Sequence, residues 1–181
     1  MSVSYKHPEY QNNIDKWEKV RNVINSEVRS YIRTIDPNDP ERSWAYKNDA
    51  ILTNFTARTE YGLVGSVFSR APDTNIPTEI EYLEEDATGD MLPLIQLAQK
   101  AVGDTLQVGR FGILADYPEA EQGLTQQEVE DLNLKARLIP YISEKILNWN
   151  TERVGGDTKL TMVVLLEEKP VLNDDVGGSK I

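Results

Sequence analysis

The sequence predicts an α+β fold in which helices come first and a small, mostly antiparallel sheet follows. Two observations support this prediction. Through residues 8–107 the apolar residues recur mainly at three- and four-residue steps, the period of a helix face. After residue 110, short runs rich in β-branched and leucine residues alternate with turn signals. We predict one domain at residues 1–172, and a flexible C-terminal end or truncation point at residues 173–181.

The first helix is predicted from Pro8 to about Ile32. Proline suits a first helical position because no amide hydrogen is needed there. One apolar stripe runs along this segment, and core packing explains it without any function. The stripe consists of Ile14, Trp17, Val20, Val23, Ile24, Val28, Tyr31 and Ile32.

The second helix is predicted as one long element from Arg42 to Pro72. A Pro-rich break precedes it, in which Asp39 can cap the helix and Pro40 can open it. Its apolar residues again follow helical spacing. They are Trp44, Ile51, Leu52, Phe55, Leu63, Val64, Val67 and Phe68.

Two glycines, Gly62 and Gly65, lie inside this predicted helix. Each costs about 1 kcal/mol relative to alanine in a helix interior. Together with Thr59 and Ser66 they form a narrow small-residue strip. We predict that a neighbouring element packs against this strip, and a hinge at the glycines is the alternative.

A loop at residues 71–77 and an acidic short helix at residues 79–90 are predicted next. Asp90 is predicted to cap a third helix from Met91 to about Gln107. Gly109 follows as a C-terminal stop.

The strands are predicted after this helix. Residues 110–116 and 137–142 are predicted as strands, and KLTMVVLLE at residues 159–167 is the strongest strand signal. Residues 155–157 are a hairpin-type turn signal. A capping-box pattern at residues 125–128 predicts a short helix to about Leu132. The conformation of residues 144–149 is left open.

Charge is distributed unevenly along the chain. Of its 19 basic and 30 acidic residues, residues 1–70 hold 10 and 9, a net charge of +1, and residues 71–181 carry −12. An acidic surface repels nucleic-acid phosphates, so tight non-specific DNA binding is not expected. A solvated acidic surface explains the same pattern without a function. The longest apolar run, Met162–Leu166, is too short to span a bilayer, so no membrane association is expected.

Motifs that would support catalysis are missing from the sequence. There is no cysteine, and the one histidine, His7, lies near the N-terminus, where residues are poorly held. No Gly-rich phosphate loop and no calcium-loop pattern occur. Adjacent acids such as Glu84, Glu85 and Asp86 are more often solvated than catalytic. We therefore predict that the protein is not an enzyme, with no catalytic, cofactor-binding or metal-binding residues.

Several segments, taken in order, resemble the N-terminal part of a family of tailed-bacteriophage portal proteins. No single motif carries the resemblance; the ordered set does, and it covers most of residues 7–168. The segments are His7–Tyr10 with Trp17, Val20 and Arg21; Ala57–Gly65 with Val67, Phe68 and Pro72; Val108–Pro118; and Ile139–Ile142 with Ile146–Trp149.

The resemblance implies a structural role in the virion, at the portal vertex of the capsid, after assembly in the host cytoplasm. Portal subunits form a ring, typically dodecameric, through which double-stranded DNA is packaged and ejected. The implied partners are other portal subunits, the capsid, the packaging motor and head-completion proteins. This chain would correspond to the outer wing region, because the stem, clip and tunnel segments of such proteins have no counterpart in it.

Two other functions remain open from the sequence. The first is an independent small protein-binding adaptor or regulatory module without catalysis, and the second is a carboxylate-based hydrolase. From the missing stem we expect the isolated chain to be mainly monomeric or weakly associated. From its charge we expect it to bind duplex DNA negligibly. Within a complete particle, the apolar faces of the first two helices are expected to be buried.

Overall fold

The computed structural model describes residues 4–118, 127 and 134–167, and it confirms the α+β fold. The helices are α1 (Pro8–Ile24), α2 (Pro40–Asp49), α3 (Phe55–Val67) and α4 (Leu94–Val108). Short 3-10 helices cover Arg29–Tyr31, Thr78–Glu84 and Ser143–Lys145. The strands are β1 (Phe111–Asp116), β2 (Arg137–Ile142), β3 (Ile146–Val154) and β4 (Asp157–Leu165).

The first helix is shorter than its apolar stripe predicted. It begins at Pro8 as expected but ends at Ile24, because Ser26 has a left-handed backbone with φ of 62°. A left-handed residue cannot continue a right-handed helix. The remainder of the stripe lies in an irregular segment with one 3-10 turn at Arg29–Tyr31.

The predicted long second helix is two helices, and that prediction was wrong. Asp39 caps α2 as expected, since its side chain accepts a hydrogen bond from the Arg42 amide at 2.9 Å. Residues 50–54 then leave the helix, and Asn54 starts α3 by accepting from the Ala57 amide at 2.9 Å. Asparagine competes for backbone groups in this way, so it favours a cap over a helix interior.

Asn54 also joins α3 to the end of α1. Its Nδ2 donates to the carbonyl oxygens of Val23 at 2.6 Å and Ile24 at 2.9 Å. Carbonyls in the last turn of a helix lack intrahelical partners. One side chain therefore caps α3 and satisfies the end of α1, which fixes the two helices side by side.

The glycine strip of α3 does not pack against another element within the described chain. A Cβ atom added at Gly62 or Gly65 would meet nothing within 4 Å, and α3 continues through both without a hinge. The close approach occurs at Gly103 of α4 instead, where a Cβ atom would lie 3.0 Å from Glu60 Oε1. The small residue that allows α3 and α4 to approach closely therefore lies in α4 and not in α3.

The third predicted helix, α4, starts at Leu94 rather than Met91. Asp90 does not cap it; the cap position is Pro93. The preceding turn is organised by Asp86, whose Oδ1 accepts from the amides of Gly89 at 2.7 Å and Met91 at 3.0 Å. The predicted acidic helix is a 3-10 helix at Thr78–Glu84.

The strands form two separate two-stranded antiparallel sheets. β1 follows Gly109, which ends α4 with φ of 77° as predicted, and β1 pairs with β2 from Phe111 opposite Ile142 to Asp116 opposite Arg137. β3 pairs with β4 around a turn in which Gly155 has φ of 69°. The segment left open at residues 144–149 is a 3-10 turn and the start of β3. Of the short helix predicted to Leu132, only residue 127 is described, and it is helical; the end at residues 173–181 lies outside the described residues.

The core lies where α1, α3 and α4 meet the strands. α1 contacts α3, α4 and β3, and α4 contacts α3, β1 and β2. The buried apolar residues are Tyr10, Trp17, Ile24, Ala57, Leu83, Ala87, Leu97, Tyr141 and Ile146. α2 contributes one buried residue, Ser43, and packs closely against no other helix or strand of the described chain.

Candidate functional site

A polar cluster joins α1, α3, α4 and the 3-10 turn before β3. At its centre, Arg21 contacts Glu144 through Nε to Oε1 at 2.9 Å and Nη2 to Oε2 at 3.3 Å. Its Nη1 lies 2.5 Å from Asp104 Oδ1 and also donates to Gln107 Oε1. Burial lowers the pKa of Arg21, but the hydrogen bond to Glu144 and the charge of Asp104 outweigh burial and raise it. Arg21 therefore stays charged in the folded protein.

The cluster continues to α3 through Gln107, whose Nε2 donates to Glu60 Oε1 at 3.2 Å. Glu60 is 9% exposed, and its second oxygen, Oε2, is buried without a hydrogen-bond partner among the described residues. A buried acceptor without a donor is destabilising. The cluster holds three carboxylates, those of Glu60, Asp104 and Glu144, against one guanidinium, so it has a surplus of acceptors.

A groove of about 470 Å³ opens beside Glu60, between α1, α3 and α4. Its walls are mainly apolar, and we call it the α1–α3–α4 groove. The lining residues are Val20, Ile24, Phe55, Thr56, Thr59, Glu60, Leu63, Leu106 and Gln107. Phe55, Leu63 and Leu106 are exposed although they are large and apolar. The groove thus exposes hydrophobic surface beside a buried carboxylate oxygen that has no hydrogen-bond partner among the described residues.

The exposed apolar surface extends along α2 and α3. Trp44 is 69% exposed, Ile51 95% and Phe55 67%. Tyr61 and Val67, further along α3, are also exposed. Large contiguous apolar patches are characteristic of contact surfaces, whereas single exposed apolar residues are ordinary. The second predicted helix thus leaves more of its large apolar side chains exposed than it buries.

A second apolar cleft, of about 410 Å³, lies along the strands and Arg110. The Arg110 guanidinium lies 3.9 Å from the ring centre of Trp149 and 5.4 Å from that of Trp17. Glu9 is the ion-pair partner, 3.5 Å from Nη2. Burial lowers the pKa of Arg110, and the charge of Glu9 offsets part of that effect.

His7 has a structural role at this cleft. Its ring stacks on Trp149 with centroids 3.8 Å apart, and its Nδ1 accepts from the Glu9 amide at 3.2 Å as the cap of α1. His7, Trp149 and Arg110 therefore tie the start of α1 to β3.

Of the acidic residues considered for hydrolysis, Glu85 and Asp86 line one cleft of about 200 Å³ together with Lys135 and Arg137. Glu84 accepts a hydrogen bond from Thr74, Glu85 is exposed, and Asp86 holds the turn before α4. Within the described ranges, no group of three or more histidine, aspartate or glutamate side chains could hold a metal ion.

The sequence matches no protein-family model, and no curated protein is detectably similar to it. In the part of the chain that the structure describes, no helix has the length and apolar character needed to cross a membrane. The resemblance to portal proteins therefore stays a prediction.

Proposed function

We propose that the chain is a structural subunit of a bacteriophage portal, the head-to-tail connector ring through which DNA is packaged and ejected. In this role it corresponds to the outer wing region of the ring. Its partners are other portal subunits in a ring of typically twelve, together with capsid, packaging-motor and head-completion proteins. Its place is the portal vertex of the virion, reached by assembly in the host cytoplasm.

The exposed apolar surface of α2 and α3 is the observation that supports this proposal most. A ring subunit must bury surface against neighbours, and most of the large apolar residues of these helices are exposed in the single chain. Trp44 of α2 and Phe55 of α3 are more than half exposed. Aromatic residues of this kind dominate the energy of protein–protein contacts. The ordered sequence segments that resemble portal proteins make this general expectation specific to the portal family.

The charge of the chain fits passage of DNA without retention. Residues 71–181 carry −12, and residues 1–70 are nearly balanced. A surface that lets a duplex slide should not neutralise many phosphates, because each neutralised phosphate adds to affinity. Two of the 19 basic side chains are engaged within the chain: Arg21 pairs with Asp104 and Glu144, and Arg110 lies over the rings of Trp149 and Trp17.

The placement of the chain in a particle tests the proposal. A reconstruction of the particle that carries this chain should locate it at one vertex, on the outer part of a ring, with α2 and α3 in contact with neighbours. A location away from that vertex would contradict the proposal. The purified chain should hydrolyse neither nucleotides nor nucleic acids, and duplex DNA should not shift at physiological salt. Turnover that is lost on changing Glu84 or Asp116 would instead indicate an enzyme.

An independent protein-binding adaptor is the second candidate. The same exposed surface favours it, because an adaptor also presents unburied apolar residues to a partner. The two candidates differ in location and copy number. A portal subunit recurs around one vertex, whereas an adaptor would be found with a different protein, away from the packaging vertex.

A further inference from the structure

We propose that the cleft beside Arg110 binds a small amphipathic carboxylate, with the head group on the guanidinium and the apolar body along the strands. The cleft is lined mainly by residues 110–114 and by Trp149, Leu160 and Val163 of the β3–β4 hairpin, and we call it the Arg110 cleft. Its volume of about 410 Å³ falls in the range of ~300–1,000 Å³ that small-molecule sites occupy. The proposal concerns a ligand of the single chain and does not rest on the proposed function.

The walls of the Arg110 cleft are apolar side chains that stay exposed. Ile113 of β1 is 51% exposed and Leu160 of β4 is 61% exposed. Leu114 and Val163, which also line the cleft, are exposed as well. These side chains come from two sheets that share no strand pair. An apolar body placed in the cleft would remove surface of both sheets from water, which is favourable.

The polar part of the cleft is one ion pair. Among the described residues that line it, Arg110 is the one cation and Glu9 the one anion. The guanidinium carbon of Arg110 lies over the Trp149 ring, 3.9 Å from its centre. Stacking of this kind uses a face of the guanidinium. The N–H donors lie in its plane, where their fork matches the two oxygens of a carboxylate.

These in-plane donors are poorly satisfied by the described residues. Nη2 of Arg110 lies 3.5 Å from Glu9 Oε2, which is longer than the ~2.7–2.9 Å of a charge-assisted hydrogen bond. Nη1 is buried and has no hydrogen-bond partner among the described residues. Burial also lowers the pKa of Arg110, and Glu9 offsets only part of that effect. The guanidinium therefore lacks a well-placed anion.

The head group is expected at Nη2 of Arg110, in the place that Glu9 holds. The Arg110 side chain is 26% exposed and that of Glu9 is 64% exposed, so this contact lies at an accessible edge of the cleft. The buried Nη1 is not needed for the contact. Exposed ion pairs add little stability, so Glu9 can turn into water when another carboxylate arrives. Glu9 thus acts as a weak internal competitor for the ligand.

A carboxylate on an apolar chain satisfies both parts of the cleft at once. A long-chain alcohol would cover the walls but bring no charge to Arg110. A long-chain amine would be repelled by the guanidinium, and acetate would pair with it but bury little surface. Since each buried methylene adds to affinity, binding should strengthen with chain length until the cleft is filled. Charge and length together therefore define the ligand class.

Titration calorimetry of the full chain with decanoate tests the proposal. Decanoate should bind saturably, octanoate more weakly, and decanol with a Kd higher by about tenfold or more. Arg110→Met should raise the Kd for decanoate by a similar factor, because the cation is lost. Glu9→Gln should instead lower the Kd several-fold, because it removes the competing charge and keeps the shape of the side chain. A merely apolar cleft would not respond to Glu9→Gln in this way.

Two further variants locate the bound chain. Leu160→Asp places a charge on the cleft wall and should abolish binding of decanoate. Ile51→Asp, which adds the same charge at a residue that is 95% exposed and does not line the cleft, should leave the Kd unchanged. Melting curves like that of wild type would show that the variants are folded, and Glu9→Gln keeps the test decisive if Arg110→Met does not fold.

Three results would each overturn the proposal: no saturable binding of decanoate by wild type, equal affinity for decanol, or a Glu9→Gln variant that binds decanoate no more tightly than wild type. A Leu160→Asp variant that binds like Ile51→Asp would also overturn it, because the ligand would then lie outside the Arg110 cleft. A particle location away from the portal vertex would contradict the proposed function and leave this site standing.

Discussion

The helices α3 and α4 have similar lengths and similar apolar content but opposite roles. α4 places Leu97 in the core, 1% exposed, and uses Gly103 to admit Glu60 of α3. α3 leaves Phe55 and Leu63 exposed, and its own glycines face open space. An apolar stripe that contains glycines therefore does not show whether a helix packs against its own chain or stays exposed for contact with another chain. The two helices differ in which of their faces the polar cluster around Arg21 holds towards the core.

The largest expected effect is a difference in the free energy of unfolding between a substitution in α4 and a matching one in α3. Leu97→Ala should lower the free energy of unfolding by about 2–5 kcal/mol, because it opens a cavity in the core. Leu63→Ala on α3 removes the same atoms from an exposed position and should change it by no more than about 0.5 kcal/mol in the dilute monomer. Urea unfolding of both variants measures the difference. Equal losses would mean that α3 is as buried as α4 and would remove the contrast.

The next prediction tests the polar cluster around Arg21. Arg21→Met keeps the hydrocarbon stem but leaves Asp104 and Glu144 without their cation. We expect a loss of about 2–3 kcal/mol, since partly buried carboxylates would then lack charged donors. Lys16→Met, on the exposed side of α1, is the control and should unfold like wild type. An Arg21→Met variant as stable as wild type at neutral pH would show that the cluster does not hold α1, α3 and α4 together.

The glycines sharpen the comparison further. Gly103→Leu should destabilise by about 1–3 kcal/mol, because its side chain would meet Glu60. Gly62→Leu and Gly62→Ala both meet open space and should each stabilise by roughly 0.5–1 kcal/mol, because leucine and alanine both favour a helix interior over glycine. Thermal melts of the three variants test this order. A strongly destabilised Gly62→Leu would restore the packing role that the sequence suggested for that strip.

Local patterns predicted much of the fold. Asp39 and Pro40 open α2, Gly109 ends α4, and β1 and β2 lie where their composition placed them. These features depend on a residue and its near neighbours. The end of α1 was misjudged because the left-handed backbone of Ser26 follows from no periodic pattern. The break before α3 was misjudged because Asn54 also bonds the carbonyls of Val23 and Ile24, about 30 positions away. Such contacts leave no periodic signal.

The candidate site was less predictable than the fold. Arg21 and Glu144 are 123 positions apart, so no spacing pattern joins them. Glu60 did carry a signal, because it lies three residues after Ala57 and four before Val64, a charge on a helix face shared with apolar residues. The exposure of Trp44 and Phe55 was hidden, since helical spacing of apolar residues looks the same for a core and for an interface.

The last expected effect is a pH dependence of stability at Tyr141. Tyr141, on β2, donates from its hydroxyl to Glu167 Oε1 at 2.7 Å, and this bond, with burial and the charge of Glu167, raises its pKa to about 12. An unfolded tyrosine has a pKa of about 10, so the folded value is the higher one. The stabilisation is therefore complete below about pH 10 and is lost as pH rises through about 12.

Tyr141→Phe cannot ionise there, so its unfolding free energy should fall less steeply than that of wild type across this window. Urea unfolding at stepped alkaline pH measures both slopes, and Glu167→Gln should flatten the wild-type slope by removing the charged acceptor. Parallel curves for wild type and Tyr141→Phe would show that this hydrogen bond does not hold β2 to the end of β4.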